Sequence, residues 1–325
     1  MCFLDSPTPA ATNKIMIMRL KNKSSIILFV LILLLLFTIS CQKEAITNPG
    51  DSDSEFTNER KITIIGYTSD AMEPFISKDE RYLFFNNFQG PNSKDIYYAE
   101  KVNDTTFVFK GEVQGVNSAY VDGNPTMDAQ NNFYFISTRD LDSGNKTIFG
   151  GIFNNGSVAN LHKINGTINI PTQFWINMGV EISKDGNTLF ASNAKFKIGD
   201  NFPNKGNIRF ALRTDNEFNI PDNEAKILGN INTGEAIEYA GEISADGLEL
   251  FYSQVTLSDP PIFKLYYAKR NQINSIFGNP ISITEPFRDN LNAFVEGPSL
   301  SDDGKRLYYH KLENGAFSIF MLSRD

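Results

Sequence analysis

One hydrophobic–polar phrase recurs along the chain: a short apolar strand, a polar turn, then a second apolar or aromatic strand. It reads EPFISKDERYLFF at Glu73–Phe85, NPTMDAQNNFYFI at Asn124–Ile136, VEISKDGNTLFA at Val180–Ala191, GEISADGLELFY at Gly241–Tyr252 and GPSLSDDGKRLYY at Gly297–Tyr309. Aligned on Ser77, Asp128, Ser183, Ser244 and Ser301, the copies lie 51, 55, 61 and 57 residues apart, a repeat array with variable loops. Each phrase predicts a hairpin. The pairs Asp185-Gly186, Asp246-Gly247 and Asp303-Gly304 supply residues that tolerate positive φ, as a tight turn requires, so the turn accounts for these aspartates. A third strand follows each copy, at Ile96–Ala99, Ile148–Gly151, Ile208–Ala211, Leu265–Ala268 and Ile319–Leu322. A fourth, less regular strand is expected around Phe107–Gly111 and Ala225–Leu228.

Four antiparallel strands per repeat predict an all-β fold, a five-bladed β-propeller spanning residues 61–325. The last copy ends just after its third strand. The segment KITIIGY, Lys61–Tyr67, precedes the first copy where a fourth strand stands elsewhere, so this N-terminal strand is expected to complete the last blade and close the ring. The longest hairpin insertion, Asn193–Asn207, belongs to the third blade. The aromatic runs Phe84-Phe85, Phe133-Tyr134-Phe135 and Tyr266-Tyr267 alternate between strand faces and are expected to pack blade on blade.

The phrase resembles the TolB-like, WD-type (PD40-like) propeller repeat, with its E-P before S-x-D-G-K, its L-x-F strand and its D-I-Y strand. Glu73-Pro74, Ser77, Asp79, Leu83, Phe85 and Asp95-Ile96-Tyr97 match directly, and the fifth copy matches through Glu296, Pro298, Ser301, Asp303-Gly304-Lys305 and Leu307. Copy two lacks the D-G pair, and copies three and four carry Val180 and Gly241 where the pattern has Pro. The resemblance implies a binding or scaffold module with protein or cell-envelope polymer partners.

Ahead of the repeats, Ile26–Phe37 is an unbroken apolar run of 12 residues, preceded by Arg19, Lys21 and Lys23 and followed by Thr38-Ile39-Ser40-Cys41. A spanning helix needs about 20 such residues, so the run reads as the apolar core of an export signal. It resembles a bacterial lipoprotein signal, which implies cleavage after residue 40, lipidation of Cys41 and a membrane partner through that lipid. The family usually has Leu where Thr38 stands. Met16 or Met18 would begin a signal of normal proportions. Residues 41–60 are polar and read as a flexible tether. The Gln42-Lys43-Glu44 start is similar to acidic surface-export signals, so an outer-membrane lipoprotein facing either the periplasm or the cell surface is expected.

Composition narrows the chemistry. The 325 residues carry a net charge of −8, and loss of residues 1–40 removes four basic residues and one acidic one, moving it to −11. An acidic body without a basic cluster disfavours nucleic acid. Both cysteines, Cys2 and Cys41, precede the repeats, and the two histidines, His162 and His310, stand far apart and read as structural. No cofactor or metal motif is present. A sialidase would need S-x-D-x-G boxes and an arginine cluster, whereas here Gly follows Asp directly. Carboxylates near the innermost strands, Glu73, Asp122, Glu181, Glu238, Glu242 and Glu296, read as solvated or hydrogen-bonded groups lining a watery channel, and Glu73, Asp122, Glu181, Glu242 and Glu296 are candidates for a channel-mouth ligand site. Strand alternation would send the positions two and four before the blade Ser to one face and the position five before it to the other. The rival to a binding module is a carbohydrate-binding or glycoside-hydrolysing propeller using two of these groups. Trp175, between copies two and three, is either an exposed recognition residue or a core plug.

Overall fold

The Ser of each phrase sets its turn. In a computed structural model describing residues 55–88, 93–141, 146–197, 202–287, 290 and 293–325, the hydroxyls of Ser77, Ser183, Ser244 and Ser301 donate to Asp79, Asp185, Asp246 and Asp303 at 2.6–2.7 Å. The same oxygens accept the backbone N–H that opens the next strand, at 2.9 Å in all four. In copy two Asp128 replaces both partners, accepting from the N–H groups of Gln130 and Asn132 at 2.9 Å. Positive φ falls at one turn position in every copy: Glu80, Asn131, Gly186, Gly247 and Gly304, at 57° to 75°. Asn131 tolerates that conformation well, which is how copy two dispenses with the D-G pair.

These hairpins are the inner halves of five antiparallel blades. The first comprises β3 (Met72–Ile76), β4 (Tyr82–Asn86), β5 (Ile96–Asn103) and β6 (Thr106–Glu112); the second, β7 (Asp122–Met127), β8 (Asn132–Ser137), β9 (Ile148–Asn154) and β10 (Ser157–Lys163). The third is β11 (Trp175–Ile182), β12 (Thr188–Lys195), β13 (Lys205–Thr214) and β14 (Glu217–Asn219), and the fourth β15 (Ile237–Ile243), β16 (Glu249–Thr256), β17 (Ile262–Lys269) and β18 (Ile281–Ile283). The fifth runs β19 (Val295–Leu300), β20 (Arg306–Glu313) and β21 (Ala316–Ser323), with β1 (Thr57–Lys61) from the start of the chain as its outer strand. The protein is a five-bladed β-propeller closed by an N-terminal strand.

The closing strand begins four residues before the expected segment. β1 pairs with β21, Arg60 opposite Met321 and Lys61 opposite Phe320, so the ring takes in the end of the expected tether. Within Lys61–Tyr67, β2 (Thr63–Ile65) instead lies parallel to β6 as a fifth strand of the first blade. Phe56 explains the shift. Only 1% exposed, it packs edge-on to Phe251 and Tyr267 of the fourth blade and lies under the Arg324 guanidinium, fixing the register of β1. The fourth strand of blade three is Glu217–Asn219, and in place of the strand expected around Ala225–Leu228 the chain forms a helical turn, Glu224–Ile227. The base of that blade's hairpin insertion continues the ladder, with Asn193 opposite Asn207 and Lys195 opposite Lys205.

Five hydrophobic cores fill the five junctions between neighbouring blades, and the aromatic runs contribute to each: Phe84 and Phe133 between blades one and two, Tyr134 between two and three, Tyr266 between three and four, Tyr267 between four and five, and Phe85 between five and one. No described helix is long and apolar enough to cross a membrane. The apolar run Ile26–Phe37, Cys41 and most of the tether lie outside the described residues.

Candidate functional site: a blind bowl on the propeller axis

Each innermost strand carries a β-bulge. Register slips by one between Met72 and Phe75, Gly123 and Thr126, Asn177 and Gly179, Tyr239 and Glu242, and Glu296 and Ser299. In four of the five the residue four before the blade Ser has positive φ: Glu73 49°, Asn124 51°, Ala240 49° and Gly297 69°. A bulge re-aims the side chains on either side of it, so simple alternation fails here. The inner carboxylates separate into two groups at different depths.

Deep on the axis, the residues two before the blade Ser meet a lysine from a turn. Lys78 Nζ lies 3.0 Å from Glu181 Oε1 and 3.4 Å from Glu242 Oε1, with all three side chains 4–5% exposed. Thr126 donates to the other oxygen of Glu181 at 2.5 Å. Burial pushes Glu242 well above the usual carboxylate range, and the neighbouring Glu181 charge adds to that. Burial opposes the charge of Lys78, but the two carboxylates outweigh it and raise its pKa. Lys184 bridges to Asp302 at 2.7 Å across the turns of blades three and five. The axial space between Glu73, Glu181 and Glu242 is about 30 Å³, room for water.

The opposite end opens into a cavity of about 680 Å³, within the roughly 300–1,000 Å³ of small-ligand sites. Its lining is mostly apolar: Ile176, Ile237, Val255, Phe196, Phe263 and Phe294 form walls, and Phe88, Met178, Phe202 and Leu312 stand 40–63% exposed at its edge. The floor is polar. Glu73 accepts from Lys94 Nζ at 2.6 Å and, at its other oxygen, from the Asn124 amide at 2.8 Å and backbone N–H at 3.2 Å. The Glu73 backbone N–H donates to His310 Nδ1 at 3.1 Å. With Nδ1 accepting, the other ring nitrogen, Nε2, donates to Glu296 Oε1 at 3.3 Å. Burial pushes Glu296 up, but His310 and the Tyr239 hydroxyl outweigh it and hold the carboxyl below its ordinary range. Gly123 permits this packing, since a Cβ there would meet the Lys94 side chain at 2.9 Å.

Of the sequence candidates, Glu73 and Glu296 thus share the bowl floor, and Glu181 and Glu242 share the buried plug. Asp122 joins neither group; it is fully buried, paired to Arg139 at 2.7 Å and accepting from Ser118. Glu238 is likewise buried, accepting from Thr233 and Gln254, with burial raising its pKa. Trp175 opens β11 opposite Lys195, half-buried. His310 is partnered by Glu296, which the bulge brings opposite it; His162 is exposed. Sequence reading did not single out Lys78, Lys94, Tyr239 or the phenylalanine walls. Among the described residues no cluster of three or more His, Cys, Asp or Glu could hold a metal.

No protein-family model and no curated protein matches the chain. Solved structures similar to it include TolB from Acinetobacter baumannii, 15% identical over 78% of this chain with TM-score 0.43; the match spans 55% of that protein, little more than half its length. The arabinanase Arb43A of Bacillus subtilis is 10% identical, covering 82% of this chain and 94% of its own with TM-score 0.50. The endo-arabinase of Bacteroides thetaiotaomicron is 13% identical, covering 82% and 98% with TM-score 0.46. At such identities the likeness extends to the propeller fold alone.

Proposed function

We propose that the protein is a binding module of the bacterial cell envelope, anchored in the outer membrane by a lipid on Cys41, that captures a protein or envelope polymer at the bowl and does not turn it over. One observation carries the reading: a cavity of about 680 Å³, open at one end and plugged at the other, with Phe88, Met178, Phe202 and Leu312 exposed at its rim. Monomeric proteins rarely leave large apolar side chains grouped in this way unless something docks there.

The rival, glycoside hydrolysis, needs two carboxylates flanking a sugar, about 5–5.5 Å apart for retention or about 6.5–9.5 Å for inversion. Glu181 and Glu242 instead hold one lysine in a space of about 30 Å³. Glu73 has both oxygens engaged. The test compares the detergent-solubilised full chain with Phe294→Asp for retention of defined envelope polymers and arrayed glycans, and for release of reducing sugar. Retention lost in the variant, without release, is the expected result. Release that stops on Glu73→Gln or Glu296→Gln overturns it. For the anchor, a radiolabelled fatty acid should mark the wild type and spare Cys41→Ser; equal labelling refutes the lipid.

A further inference from the structure

The charges of the bowl do not balance. Among its described lining residues the charged ones are Glu73, Lys94 and Glu296. Lys94 lies 2.6 Å from Glu73, whose second oxygen is held by Asn124, so that pair is closed. Glu296 meets the His310 Nε2 edge at 3.3 Å, and among the described residues no Lys or Arg forms an ion pair with it. Its side chain is 16% exposed and faces the cavity. An aromatic wall rises from this point. Phe294 and Phe317 lie 6.5 and 5.5 Å from the His310 ring, Phe263 lies 4.0 Å from Phe294, and Phe88 stacks on Phe317 at 5.7 Å.

We propose that the bowl selects an ammonium group carried on an apolar body, the head set against Glu296 and the body against Phe263, Phe294 and Phe317. The neighbours of Glu296 keep it a carboxylate at the cavity surface, where a cation can pair with it, and phenylalanine faces attract a cation where they would repel an anion. An anionic ligand has no free partner, since the lining lysine is already paired. The inference rests on the binding reading above and names the ligand chemistry of that same site. Two sources present this chemistry: a free aralkylamine, and a lysine flanked by aromatic residues in a partner protein.

Calorimetric titration of the detergent-solubilised full chain with three probes of one body tests it: phenethylamine, 2-phenylethanol and phenylacetate. The amine should bind at least about tenfold tighter than the alcohol, about 1.4 kcal/mol, and the carboxylate more weakly than either. Glu296→Gln, which keeps the shape and the His310 contact, should abolish the amine's advantage and leave the alcohol's affinity unchanged. Lys94→Met frees Glu73 and should strengthen amine binding several-fold. A Phe-Lys-Phe peptide with blocked ends binding tighter than phenethylamine assigns the ligand to a protein partner, and the reverse order to a small amine. Equal affinity for amine and alcohol, tighter binding of phenylacetate, an advantage that survives Glu296→Gln, or no binding by any probe each overturns the inference. Alcohol binding that Phe294→Ala removes, without an amine preference, would retain the bowl as a binding site and reject its charge selectivity. Retention of an envelope polymer in the earlier assay is judged apart from all of these.

Discussion

Replacing Lys78 by Met removes one charge from the axial plug while keeping the aliphatic stem that packs on the Phe75 ring, 5.1 Å from the ammonium. Left behind are two carboxyl groups, each 4% exposed, that had shared one cation at 3.0 and 3.4 Å. Breaking a buried pair from one side costs about 3–5 kcal/mol, because the other charge stays buried without its partner. At about 2–4 °C per kcal/mol for a domain near this size, Tm should fall by about 6–20 °C. The sign with pH is set by Glu242, whose pKa burial and the Glu181 charge raise. The folded state holds that proton more firmly than the unfolded chain does, so its contribution is complete below the ordinary carboxylate pKa and declines as pH rises through the raised value. Losing Lys78 extends the decline, so the Tm deficit should be small at acid pH and full at pH 8. Glu242→Gln in the same background removes the second negative charge and should recover part of the loss, the interaction being read from the double-mutant cycle. Melts of the full chain followed by circular dichroism across pH give every quantity. A Tm within about 2 °C of wild type at pH 8, or a deficit that does not change with pH, would refute the reasoning.

The fold itself sets three further outcomes. Phe56→Ala empties a fully buried site that joins the first residues of the ring to blade four, and should lower stability by about 3–5 kcal/mol in denaturant unfolding; a loss under about 1 kcal/mol would show that β1 does not clasp the ring. Ser301→Ala removes a hydroxyl that donates to Asp303 and accepts from the Arg306 N–H, 1% exposed, and should cost about 1–3 kcal/mol in the same assay without affecting bowl ligands. Gly166→Ala places a Cβ against the Phe218 backbone at a φ of +109°, where neither chain can give, and should cost more than about 1 kcal/mol; an unchanged midpoint would mean that blades two and three do not approach so closely.

The repeat was legible because its residues act locally. Ser, Asp and the positive-φ position hydrogen-bond within five residues of one another, so their spacing survives in the sequence whatever the loops do. The closing strand was legible in kind and misplaced by four residues. KITIIGY has the stronger strand propensity, but the deciding contact is Phe56 against Phe251 and Tyr267, some 200 positions away, which no local pattern contains. The aromatic runs pointed correctly to the blade junctions. The phenylalanines of the bowl carry no such mark, since Phe88, Phe202 and Phe294 stand singly in connections and converge only when the ring closes.

The carboxylates show why the site itself stayed hidden. Counting back from the fifth turn, Leu300 faces Leu307 and Ser299 faces Tyr308, so a regular ladder would set Glu296 opposite Lys311, a plain cross-strand ion pair. The bulge at Gly297 and Pro298 inserts one residue, and Glu296 lands opposite His310 instead. Lys311 then turns to Glu59 of the closing strand at 2.7 Å, strengthening the clasp. The same slip in blade one hands the backbone N–H of Glu73 to His310, tying the floor across the junction of blades five and one. One-residue irregularities on strands that otherwise alternate thus decide which acids are neutralised and which stays charged, and Gly297, with φ +69° and His310 Nδ1 only 3.1 Å from where its Cβ would sit, leaves little freedom to choose otherwise. A residue with a side chain at position 297 should displace His310 from Glu296, and the charge of the bowl floor would change with it.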